Sequence, residues 1–221
     1  MDIKEIWNRL KGIIIFGICY MTAFFFIEAR DVPIKIIHTK FDDLIPFCEY
    51  FIIPYVLWYI YVAATILYLG LSDKRSKEYK RFVANMILGM IIFIITSLVY
   101  PNGQNLRPHI VVDGFFTWAV DFLYTIDTST NILPSLHAFA SIACDIALCR
   151  DPAFRKHPLW QWLTHFFTVL ICLSTMFLKQ HSIIDVIAAL LCSLAFYPIV
   201  YHWETISTKL FSKTSLKKGI G

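Results

Sequence analysis

The residues of this chain best suited to chemistry are two histidines and an aspartate. His181 and Asp185 stand four apart in "HSIID", residues 181–185. On a helix that spacing places both on one face, a turn apart. An unbroken apolar run follows Asp185, so the carboxylate is expected below a membrane surface, where it requires a partner or a function. Asp185 accepting a hydrogen bond from one ring nitrogen of His181 would fix the tautomer and stabilise the imidazolium. The other nitrogen would then be free to attack. The same spacing also describes a buried structural histidine–aspartate bond.

His137 enters through "NILPSLHAFASIA", residues 131–143, which puts a proline, a serine and a histidine at the start of an apolar helix. Pro134 and Ser135 suit a helix N-terminus. The free backbone N–H groups and dipole there can seat an anion. Ser135 and nearby amides could hold a phosphate oxygen with His137 beside them as proton donor; a capped helix with an interfacial histidine is the plainer alternative. In "YPNGQNLRPHI", residues 100–110, Arg107 is the single basic residue (Lys or Arg) between residues 82 and 149. Its guanidinium is suited to bidentate phosphate binding, or to snorkelling at an interface. His109 beside it has no assigned role. A phosphate clamp, an anion-seating helix start, two histidines and a carboxylate together describe phosphoryl transfer through a phosphohistidine. That chemistry calls for no metal and no other cofactor.

These groups must be positioned by membrane helices. The 221 residues are 57% hydrophobic and 16% charged, with a mean hydropathy of +0.61; soluble domains carry about 25% charged residues. Long uncharged runs alternate with short charged clusters, and a span needs roughly 20 apolar residues. Six spans are predicted, at 10–27, 50–70, 82–100, 133–149, 160–178 and 182–203, giving an all-α polytopic bundle in a single domain over 1–221. Its catalytic core runs from about 95 to 205. The first run has a basic start, yet "FFFIEARDVP" offers no small-residue cleavage site, so it reads as a retained span. Basic residues collect in 71–81, in 150–158 and in the tail (Lys209, Lys213, Lys217, Lys218). By the positive-inside rule both termini are cytoplasmic, and the histidines, Asp185 and Arg107 share the opposite side. The net charge of +4 reflects that asymmetry and does not point to nucleic acid.

With those residues in hand, the chain resembles the type 2 phosphatidic acid phosphatase superfamily, which includes lipid phosphatases and the phosphotransferases that make inositol phosphorylceramide and sphingomyelin. The likeness covers roughly 95–190. The family's first motif ends in Arg-Pro, here Arg107-Pro108; its second reads Pro-Ser-Gly-His, here "PSLH", 134–137; its third ends in His, three residues, then Asp, here His181 to Asp185. The resemblance implies that His181 is the nucleophile on phosphorus and Asp185 orients it. His137 protonates the departing alcohol, and Arg107 with Ser135 holds the phosphoryl oxygens. Three positions depart from the pattern. Tyr100 stands where the family has a lysine, Ser174-Thr175 where it has Ser-Arg, and Leu136 replaces the glycine. Lys179 lies in the right loop to restore one cation, at a different spacing.

A site with fewer cations suits a phosphodiester, with one negative charge, better than a monoester with nearly two, since each charged hydrogen bond contributes about 1.5–3 kcal/mol. The expectation is a lipid phosphatase or phosphotransferase acting on a phospholipid or prenyl-type phosphate, with a modest lean to headgroup transfer, in a membrane read as a bacterial plasma membrane. The alternatives are a lipid-binding or lipid-transport protein that retains the fold without turnover, and a purely structural subunit. Segment 28–49 is expected to form either an interfacial helix or lid, or a loop docked on the bundle. Asp145, inside the fourth span, is an intramembrane acid worth marking, too deep for the proposed chemistry. The six cysteines show no CxxC spacing and read as small apolar fillers. Tyr50, Tyr100, Trp160 and Trp203 fit an interfacial aromatic belt.

Overall fold

A computed structural model describes residues 3–202. Trp203 and the four tail lysines lie outside the described residues. Within these described residues eight α-helices run in chain order: α1 Ile3–Glu28, α2 Lys40–Leu44, α3 Ile52–Gly70, α4 Ser76–Val99, α5 Phe115–Ile126, α6 Leu136–Arg150, α7 Pro158–Phe177 and α8 Ile183–Tyr201. Two short strands, β1 Lys35–Ile36 and β2 Asn102–Gly103, pair in parallel.

Within the described residues each of the six predicted runs falls on one helix, but the six are not equivalent. Among the described residues, five stretches are long and apolar enough to cross a membrane: Lys4–Glu28, Glu49–Gly70, Asp73–Val99, Pro158–Phe177 and Ile183–Tyr201. The element expected as the fourth span, α6, has 15 residues. At 1.5 Å per residue that is roughly 22 Å, short of a hydrocarbon core of about 30 Å. The difference has a packing cause. α6 runs through the middle of the bundle and touches α3, α4, α7 and α8. Ala138, Ala140, Ser141, Ala143, Cys144 and Ala147 are buried along it. Small side chains let neighbouring backbones approach closely, and a helix shielded by protein has no need of the Leu/Ile/Phe coat its neighbours present outward. Gly89 of α4 shows how close the approach is: a Cβ there would lie 2.1 Å from the Phe139 ring.

The bundle has two distinct ends. At one, the first turns of α1 meet the turn before α4 through Arg9 and Asp73, and Asp151 binds the Tyr68 hydroxyl at 2.9 Å and Arg75 at 3.3 Å. The basic linkers and the amino-terminal turns thus gather together. At the other end, segment 28–49 docks on the bundle rather than standing free of it. Ile37 N–H donates to the Gly103 carbonyl at 2.7 Å and Cys48 N–H to the Phe177 carbonyl at 3.1 Å. α5 was not expected from the sequence. It leaves Phe115, Trp118 and Phe122 exposed at i, i+3 and i+7, an apolar stripe suited to the membrane interface.

Candidate active site

The site is built where the starts of α6 and α8 meet the end of α7. After α7 the chain reverses through Lys179, whose φ of 54° is left-handed, and the amides of Gln180 and His181 donate to the Thr175 carbonyl at 2.9 and 3.1 Å. Ser182 then caps α8. Asp185 closes the capping box, its Oδ2 accepting from Ser182 N–H at 2.8 Å. The same oxygen lies 3.3 Å from His181 Nδ1, so one carboxylate both starts the helix and orients the imidazole. Ring nitrogen Nε2 of His181 is left for other work.

At the facing helix start, Ser135 caps α6, its Oγ accepting from Ala138 N–H at 3.3 Å. Ser135 N–H donates to the Asp185 carbonyl at 3.1 Å, which joins the two helix starts directly. Pro134 follows a cis peptide bond. The His137 ring is held between Tyr55 and Trp58, with centroids 4.5 and 4.3 Å away. It lies 6.0 Å from the His181 ring. His137 Nε2 is shielded and has no partner among the described residues.

Both imidazoles open on a cavity of about 360 Å³. Most of its wall is apolar, including Phe24 of α1, Val62 of α3, Met86, Met90 and Phe93 of α4, and Leu123 of α5. Its polar end is formed by the histidines, Asp127, Thr128, Asn131 and Gln180. Neither lysine nor arginine lines it among the described residues.

That finding bears on the expected phosphate ligands. Arg107 stands behind the cavity wall. Its guanidinium donates to the carbonyls of Tyr124, Asp127 and Thr128 at 3.3, 2.7 and 2.8 Å, and stacks over the Tyr124 ring at 4.5 Å. A cation placed on the free carbonyls at the end of α5 is favoured by the helix dipole. Burial pulls its pKa below the ordinary guanidinium value, with Asp127 and Tyr124 opposing. Tyr100 and Ser174, at or beside the positions of the missing cations, and Lys179, the possible substitute, also lie off the cavity. Tyr100 carries Lys35 Nζ over its ring at 5.0 Å. Ser174 Oγ donates to the Ile171 carbonyl within α7 at 2.7 Å. Lys179 Nζ donates to the carbonyls of Asp42 and Ile45 at 2.8 and 2.5 Å, and burial lowers its pKa against the pull of Asp42 and Asp43. His109 is exposed.

Three residues that sequence reasoning passed over complete the site. Gln180 is 2% exposed and its Oε1 accepts from Arg107 at 2.5 Å. Because arginine only donates, this contact fixes the amide orientation. Gln180 Nε2 is then a buried donor at the cavity with no partner among the described residues. Asp42 of α2, 2% exposed, accepts from Ser182 Oγ and Ile183 N–H, each at 2.8 Å, and from Thr39 N–H at 2.8 Å. Asn102 Oδ1 accepts from the amides of Ile132 and Leu133 at 2.9 and 3.0 Å, which shapes the loop leading into α6. The sequence signal for Asp42 was an acid in segment 28–49, expected as an interfacial helix or lid or as a docked loop. For Asn102 it was its place in the Asn-Gly pair of "YPNGQNLRPHI". Comparison of the chain with family models, with characterised proteins and with solved structures finds no match.

Proposed function

We propose that this chain is an integral-membrane lipid phosphotransferase or phosphatase that works through a phosphohistidine on His181. The observation that carries the reading is the pair of imidazoles, 6.0 Å apart, at the polar end of an otherwise apolar cavity. Edge-on rings at that centroid separation are close neighbours, so one phosphoryl group seated at their shared edge can meet a nitrogen of each, given reacting atoms about 3–3.5 Å apart. The apolar lining of the cavity suits an acyl or prenyl chain. The order of Arg107-Pro108, "PSLH" and "HSIID" supports membership of the type 2 phosphatidic acid phosphatase superfamily.

In the first step His181 Nε2 attacks phosphorus and the bond to the leaving alkoxide breaks. His137 supplies the proton to that oxygen, and Asp185 stabilises the imidazolium through Nδ1. In the second, His137 takes the proton from water or an acceptor alcohol, whose oxygen attacks phosphorus as the bond to His181 Nε2 breaks and the free imidazole is restored. Gln180 Nε2 and the amides of Leu136 and His137 at the start of α6, which have no acceptor within the helix, hold the phosphoryl oxygens. Arg107 acts one layer back, fixing Gln180. A neutral amide in place of a cation favours the singly charged diester, so headgroup transfer is the preferred branch.

In this reading α6 is a sixth membrane-crossing element, shielded by the other five. Both termini and the basic linkers face the cytoplasm, the histidines face the opposite side, and the membrane is a bacterial plasma membrane. The test is turnover by purified protein in detergent with short-chain phosphatidate, with a prenyl pyrophosphate, and with phosphatidylinositol plus ceramide. Headgroup exchange without free phosphate is expected, with a loss of at least about 10³-fold in His181→Ala. Undiminished turnover in that variant overturns the reading. A second reading, a lipid-binding protein without turnover, draws on the engagement of Arg107 by carbonyls. It is favoured if wild type and His137→Ala bind lipid equally and neither turns over.

A further inference from the structure

The mechanism leaves one cluster of ligating side chains unused. Asp145 and Cys149 of α6 and His165 of α7 offer three ligand atoms that all lie within 4.8 Å of one another. His165 Nδ1 is 2.7 Å from Asp145 Oδ2. Cys149 Sγ is 3.7 Å from Asp145 Oδ1 and 3.9 Å from His165 Nε2. None of the three lines the cavity of the histidine pair. Asp145 and Cys149 sit at the opposite end of α6, five residues and one residue before its last, Arg150.

A carboxylate in the membrane requires a compensating charge. The described polar partners of Asp145 are a thiol and an imidazole, not a lysine or arginine. The nearest base along the helix, Arg150, is engaged by Glu78 and the Tyr197 hydroxyl, at 3.4 and 3.0 Å. Oxygen, sulfur and nitrogen in one cluster form a donor set for zinc. Tetrahedral bonds of about 2.0–2.3 Å put ligand atoms roughly 3.3–3.8 Å apart, which the Cys149–Asp145 contact at 3.7 Å already meets. Because the Asp145 contact uses Nδ1 and the sulfur contact Nε2, His165 has to turn to present a single nitrogen to the ion, within the 4.8 Å that the three ligand atoms already span.

We propose that Asp145, Cys149 and His165 form a zinc site, with water as the fourth ligand, that staples α6 to α7 near the end leading into residues 151–157. Binding converts the Cys149 thiol to thiolate and releases its proton to water. The two positive charges of the ion are then balanced by one thiolate and one carboxylate, with His165 neutral. A centre of zero net charge is the form that a low-dielectric setting favours. The site does not depend on the phosphohistidine reading.

The test uses full-length protein in detergent, stripped with chelator and dialysed against zinc chloride. One zinc per chain is expected in wild type and in His38→Ala, which removes the exposed His38–Asp43 pair as a competing site. Cys149→Ser and Asp145→Asn should each bind at least tenfold more weakly. Zinc should also slow alkylation of Cys149 in wild type at least tenfold, with the exposed Cys19 unaffected; this reading does not require a variant to fold. Absence of saturable binding, equal binding by wild type and a well-folded Cys149→Ser, or unchanged Cys149 alkylation overturns the proposal.

Discussion

At the scale of single residues, the site divides between groups that face the cavity and groups that hold them. Gln180 belongs to the first set and Arg107 to the second, although both come from loops and lie in direct contact. Gln180→Ala removes the one neutral side-chain donor fixed at the cavity by an arginine. It is expected to lower kcat/KM by roughly 10–100-fold, in keeping with about 1.5–3 kcal/mol for a hydrogen bond to a charged group. Gln180→Glu, which presents a carboxylate to the same oxygens, should be worse than Ala. Steady-state kinetics on the preferred substrate checks both, and an unaltered kcat/KM in Gln180→Ala removes the amide from the mechanism. Arg107→Lys keeps charge but cannot span three carbonyls and an amide oxygen. It should lower thermal stability as well as activity.

At the scale of elements, two contacts decide whether the site is assembled. The first is the docking of α2 on the start of α8 through Asp42. Burial raises the cost of ionising this carboxylate, but its hydrogen bonds from Ile183, Ser182 and Thr39 outweigh that and hold its pKa below the usual value. A depressed folded-state pKa means that the stabilisation is present above the unfolded value of about 3.9 and is lost as the pH falls through the folded one. Asp42→Asn should therefore melt below wild type at pH 7, and the gap should narrow on acidification below about pH 4. A constant gap across that range places the effect elsewhere. The second contact is Gly89 against Phe139. The Phe139 ring is backed by Phe196, with centroids 6.0 Å apart, so it has little room to yield. Gly89→Ala is expected to cost about 1–3 kcal/mol as overpacking, less the helix propensity that alanine returns. The Phe139→Leu background should relieve much of the loss, as measured by thermal unfolding in detergent.

At the scale of the whole molecule, the arrangement predicts a topology. Cysteines introduced at Lys74 and Arg155 should react with a membrane-impermeant maleimide from one side of the bilayer, and one at His109 from the other. Labelling of all three from the same face would overturn the proposed membrane crossing of α6. Much of this plan could be read from the chain alone. Long apolar runs and clustered charges identify membrane helices because hydrocarbon excludes charge over a fixed thickness. The order of "PSLH" and "HSIID" marked His137, Asp185 and His181 because helical spacing is local. Other features were set by contacts between distant segments. The burial of α6 hides a helix too short to qualify by length. The capture of Arg107 by the carbonyls of residues 124–128 draws it away from the cavity it was expected to line. The placement of Gln180 and Asp42 depends on loops meeting across the bundle. Residue type and spacing specify what a side chain can do. Which partner occupies it is decided only when segments far apart in sequence compete for the same donors and the same space.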